Sequence, residues 1–206
     1  MRGIRRRSYS QAGDVRKKRG RPSRRRIASF RREVLGFVVS FGVLLATFCF
    51  ILQTQFVHDT VFQAHLHQTA AMCGTILAIM GVKYKIVETS LFSPDFSLIL
   101  SYGCDSIYPT AMLWSAMLAF SAPWRLKLLG LVIGAILLYS LNVLRVVCLH
   151  YVGAYFPSFF DMVHIYAWQS LFILLTLAIF LLWVARVSRL RMINERKKPT
   201  TSIELR

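Results

Sequence analysis

Long stretches without a charged side chain alternate with short polar connectors along this chain. Residues 34–52 form the first, a run of 19 residues. As a helix rising 1.5 Å per residue it reaches roughly the 30 Å of bilayer hydrocarbon. Residues 106–123 and 165–185 are also charge-free and of spanning length, and 126–151 carries permanent charge only at Lys127 and Arg145. Four transmembrane helices are therefore predicted. Residues 65–82 are ambiguous, because their uncharged part is short and broken by Gly74 and Gly81; they read as an interfacial or re-entrant helix. Polar and apolar residues alternate over 83–88, and 95–100 is strand-like, which predicts a small external β-hairpin between Val82 and Tyr102. The fold class expected is an all-α membrane protein with four spans, one further helix and that hairpin.

A secretory signal is the alternative reading of the first run, but the run exceeds an h-region of about 7–15 residues. No small-residue cleavage site follows it, and Phe48 before Cys49 does not suit a lipoprotein signal. A retained span is the expectation.

Composition supports the membrane reading: 206 residues, 55% hydrophobic and 17% charged, with mean hydropathy +0.50. The net charge of +17 sits mainly at the two ends of the chain. Residues 1–32 hold 14 Lys/Arg and the single acid Asp14, without an apolar period, and read as a disordered basic arm. Tyr9 is the arm's only aromatic before Phe30. It is therefore expected to meet anionic lipid, not nucleic acid. If 65–82 does not cross, 23 Lys/Arg fall on one side and Lys83 and Lys85 alone on the other. The positive-inside bias then sets both termini in the cytoplasm. The boundaries predicted are a basic cytoplasmic arm at 1–32, a transmembrane domain at 33–187 and a basic cytoplasmic tail at 188–206.

This topology brings three chemically distinct residues to one external depth. Cys104 precedes the second span, Arg145 lies near the external end of the third, and His164 opens the fourth. A thiolate can attack a carbonyl, an imidazole can move protons, and a guanidinium can hold the developing oxyanion. Each has a plainer reading too. Cysteine in a membrane protein is commonly a small apolar filler, and a Cys104–Cys148 disulfide is conceivable in an oxidising compartment. Arg145 costs roughly 2.5 kcal/mol or more inside a span, unless it snorkels to lipid phosphates from one turn below the boundary. His164 can be a polar boundary residue beside Asp161. Asn142 precedes Arg145 by three, so the two share a helix face, and Asn142 either orients the guanidinium or packs between helices. Asp105 and Asp161 either partner His164 and Arg145 or are solvated.

His58, His65 and His67 invite a metal reading, but no cysteine or acid lies at a tight ligand spacing, so no metal and no cofactor are expected. Trp124, Trp168 and Trp183 fall near span ends as an aromatic belt would, with Trp114 packed inside.

The stretches Gly103-Cys104-Asp105, Ala122-Pro123-Trp124-Arg125, Asn142-Val143-Leu144-Arg145 and His164-Ile165-Tyr166-Ala167-Trp168-Gln169 resemble, in order and spacing, the exosortase/archaeosortase family. The similarity runs over residues 34–183 and is closest to the short exosortase H type. The resemblance implies a membrane-embedded cysteine transpeptidase that processes exported proteins carrying a C-terminal motif, a transmembrane helix and a basic cluster. It implies Cys104 as nucleophile, Arg145 as the motif arginine and His164 as the third active-site residue, in a bacterial inner membrane with the site facing the periplasm. Here Asp105-Ser106-Ile107 follows the cysteine where the family often has Gly or Ser. An acid beside a thiol opposes the thiolate, so either Asp105 points away or Arg145 and His164 offset it. A non-enzymatic assembly factor or small transporter, with Arg145 binding an anion or a partner helix, is the alternative expectation.

Overall fold

Helix α1 (Arg24–Leu52) follows from the first charge-free run, and it continues back into the Arg-rich stretch because arginine is itself a good helix former. The computed structural model describes residues 24–94, 96–100 and 105–196; at 24–30 and 194–196 it describes the helical backbone alone. The expected arm at 1–32 is thus helical from Arg24, and its remainder lies outside the described residues. The chain divides into two compact units, 1–36 and 37–206. The described part of the first is the start of α1, with Val34 and Leu35 exposed.

After α1, a single turn α2 (Gln55–Val57) and a π-helical turn (His58–Phe62) lead into α3 (Gln63–Ile79). Leu66, Ala70, Cys73 and Leu77 recur at helical spacing and bury one face of α3 against Val143, Val146 and Val147. A Schellman motif ends α3: Gly81 takes φ +87, its N–H bonds the Ala78 carbonyl at 2.9 Å, and the Val82 N–H bonds that of Leu77 at 2.9 Å. The glycine that broke the apolar run is therefore the residue that stops the helix.

Residues 85–99 fold as a three-stranded antiparallel meander in place of the expected hairpin. Strands β1 (Lys85–Val87), β2 (Ser90–Phe92) and β3 (Ser97–Ile99) pair with Ile86 opposite Leu91 and Leu91 opposite Leu98. Only Leu91 of β2 is buried, and three residues are too few to show an alternation, which is why β2 was not legible. Between β2 and β3, Phe96 seats its ring against Gly153, where a Cβ would collide with it.

Three helices are long and apolar enough to cross a membrane: Arg31–Leu52 within α1, Trp124–Tyr155 (α5), and Met162–Ile193, which comprises a π-helical turn (Met162–Ala167) and most of α6 (Trp168–Arg196). The second expected span, 106–123, yields only α4 (Ile107–Ala119), whose 13 residues cover about 20 Å. Two features cut it short. Asp105 Oδ1 accepts the Ile107 N–H at 2.8 Å and fixes the start, while Phe120 turns extended ahead of Pro123, whose ring disfavours helix at Ala122. Cations close the far end: Lys127 Nζ donates to the Leu118 carbonyl at 2.7 Å, and Arg191 donates to that of Ser121.

Helices α4, α5 and α6 share a second core of Leu113, Met117, Leu138 and Phe172. Gly134 admits Leu113 and Gly130 admits the Trp183 indole, the close approach that small residues permit between apolar helices. Trp183 Nε1 donates to the Leu126 carbonyl at 3.1 Å and Trp168 packs on this core, so of the three expected belt residues Trp124 alone is exposed. Outward-facing Leu, Ile and Val crowd α1, α5 and α6, as lipid-facing helices require.

Candidate active site

Arg145 projects from α5 into the protein and not toward its edge. It is 5% exposed, with its Cζ 5.7 Å from the centre of the Phe172 ring of α6. A guanidinium so enclosed does not snorkel, and the aromatic face supplies part of the attraction that water would otherwise give. It borders a cavity of about 310 Å³ between α4, α5 and α6, whose polar lining comes from Asp105, Tyr108, Arg145, Gln169 and Thr176.

Asp105 is 3% exposed, so the sequence alternative of a solvated loop acid does not hold. Its carboxylate turns to the amino end of α4 and also faces the cavity. Cys104 lies outside the described residues. Its covalent successor Asp105 nevertheless belongs to the Arg145 cavity, and adjacent Cα atoms are about 3.8 Å apart.

His164 sits in the π-helical turn before α6, half-buried, with its ring 5.5 Å from that of Phe160. The charges of Arg145 and Asp161 both act on its imidazole. Arg145 and His164 are thus brought within electrostatic reach of each other from residues far apart in the chain.

Asn142 is 0% exposed, and neither amide atom has a hydrogen-bond partner among the described residues. Of its two readings, a bond to the guanidinium and packing between helices, the bond is therefore not made. A buried amide without partners costs about 1–3 kcal/mol. Asn142→Leu should consequently keep or raise the thermal unfolding midpoint in detergent; a large drop would show that the amide is satisfied after all.

The other thiols carry no sign of reactivity. Burial pushes the Cys73 thiol up to about 12, where it is protonated and points to the Val143 carbonyl at 3.8 Å. Cys148 is a free thiol among the described residues. The histidines considered for metal are dispersed: His58 Nδ1 meets Asp59 at 3.2 Å and His65 Nε2 meets Ser106 at 3.4 Å. Among the described residues no cluster of His, Cys, Asp or Glu could hold a metal ion.

The sequence reading passed over Phe172, Ile173 and Thr176, which line the cavity below Gln169. Their spacing of three, four and seven residues from Gln169 marks one helix face, but Phe and Ile on such a face are ordinary core residues until a guanidinium is seen against them. Compared with known proteins, the chain matches no family model, no curated protein and no solved structure.

Proposed function

We propose that the chain is a membrane-embedded cysteine peptidase of the sorting type, cleaving C-terminal signals from exported proteins through a thioester. The observation that carries the reading is the buried Arg145 at a cavity shared with Asp105, the residue next to Cys104, with His164 in reach of the same charge. In this mechanism the Cys104 thiolate forms a bond to the scissile carbonyl carbon. Arg145 N–H groups hold the oxygen as it becomes negative, and His164 gives a proton to the amine that leaves as the C–N bond breaks. A second amine, or water, then attacks the thioester and returns the thiol. The site keeps bulk water away from Arg145, which strengthens each electrostatic contact.

The membrane arrangement proposed with it has four crossings and α3 lying at the outer interface. The link between α4 and α5 is four residues, 120–123, which favours antiparallel neighbours. A crossing by α4, short as it is, returns the C-terminal tail to the side of the basic arm and satisfies the charge bias, at a modest mismatch cost. The substrates are exported proteins whose own helix holds the cleavage point at this depth, and anionic lipid faces the arm.

Mass spectrometry of the protein purified from cells that secrete such substrates tests the chemistry directly. A peptide adduct in thioester linkage on Cys104, released by hydroxylamine, is the expected result. Adducts confined to Cys49 or Cys148, or none in hydroxylamine-sensitive form, would overturn it.

A further inference from the structure

One polar cluster beside the cavity has no part in the chemistry above. His65, at the start of α3, brings its Nε2 within 3.4 Å of Ser106 Oγ, and its ring meets Tyr139 of α5 edge-on at 5.4 Å between centroids. Ser106 is buried, and its carbonyl accepts the Thr110 N–H at 3.0 Å as the first bond of α4. Its backbone lies at φ −93, ψ 4, between helix and extended chain. The same turn is pinned a second time, by Asp105 Oδ1 on the Ile107 N–H. Burial holds the His65 imidazole below its ordinary range, and the Asp105 carboxylate opposes this more weakly. The neutral ring therefore has one nitrogen lone pair to offer, and the Ser106 hydroxyl can donate to it.

The contact joins α3, otherwise a scaffold helix, to residues that immediately follow Cys104 and face Arg145. We propose that His65 is a positioning residue for the thiol chemistry: by accepting the Ser106 hydroxyl hydrogen bond, it fixes the turn at Asp105 and Ser106 against the Arg145 cavity. This rests on the cysteine-peptidase reading. On that reading the thiol chemistry needs the Arg145 charge to lower the thiol's proton affinity, and a correctly held turn at Asp105 and Ser106 serves that need. Releasing the turn withdraws that help.

The test follows iodoacetamide alkylation of the full-length protein in membranes, measured on the Cys104 and Cys148 peptides by mass spectrometry. His65→Phe keeps a ring for Tyr139 but has no acceptor, and should slow Cys104 alkylation at neutral pH about tenfold, with the midpoint of its pH profile about one unit higher. His65→Gln, whose amide oxygen reaches a similar position, should restore the parent rate to within about twofold. Ser106→Ala removes the same bond from the other side with little change of volume, and should slow the reaction as His65→Phe does. Cys148, on the opposite groove of α5, should react at the parent rate throughout. His65→Phe and Ser106→Ala at the parent rate, His65→Gln as slow as His65→Phe, or Cys148 changing in step with Cys104 would each overturn the proposal. Normal substrate processing by Cys104→Ala would instead remove the peptidase reading, and is seen in a separate assay.

Discussion

Cells expressing Cys104→Ala should accumulate uncleaved substrate, with processing reduced at least about a thousandfold, the scale on which loss of a catalytic nucleophile registers. The variant should still insert and unfold near the parent temperature, since the exchange removes a single sulfur atom. Its electrophoretic comparison with Cys73→Ala and Cys148→Ala isolates chemistry from packing. Cys73 is fully buried with its thiol pushed to about 12, so Cys73→Ala should lower stability and leave the rate per folded molecule intact. Cys148 borders an apolar groove on the other side of α5, lined by Met72, Tyr139 and Tyr151, and its replacement should process normally. Normal cleavage by Cys104→Ala would end the enzyme reading, whatever the neighbouring residues do.

Arg145→Lys is expected to cost about a hundred- to a thousandfold in processing, comparable with removing an oxyanion donor. The charge is kept, so a loss of this size measures geometry. A planar fork held with its Cζ 5.7 Å from the centre of the Phe172 ring presents fixed N–H donors, and an ammonium on a flexible stem does not. Insertion and the unfolding midpoint should be followed alongside, because the buried head group also fills space between α5 and α6. A transporter or assembly factor that uses Arg145 to bind an anion or a partner helix also predicts impairment by Arg145→Lys, but it predicts that alkylating the thiols is harmless, whereas the enzyme loses activity with both. Retention of more than about a tenth of the parent rate in a folded Arg145→Lys would remove the oxyanion role, and full function after thiol alkylation would favour the non-enzymatic alternative.

The segments that the residue order made legible are those governed by local physics. Three long apolar helices follow from runs of uncharged residues, and the end of α3 follows from Gly81, because only local backbone chemistry is involved. Arg145 stood out for the same kind of reason, a permanent charge in an apolar run. The sequence overstated the length of α4, since hydropathy over 106–123 does not register that Asp105 and Pro123 punctuate the helix from either side. It also missed β2, whose pairing with both neighbours depends on partners up to nine residues away. Of the two readings of Asn142, the hydrogen bond to Arg145 is not made, because sharing a helix face does not orient two side chains toward each other.

By itself the order of residues determined that this chain must bury long apolar helices away from water, and that a thiol, a guanidinium and an imidazole occur near their ends. Hydrophobicity and charge are properties of single residues and short windows, so they survive without knowledge of the partners. Only the tertiary structure decided that Arg145 turns inward over Phe172, that Asp105 joins its cavity, and that His65 reaches Ser106 from a different helix. Those facts depend on which faces of α3, α4, α5 and α6 meet, and that is fixed by the fit of Leu66, Leu113, Gly134 and Phe172 in close-packed cores.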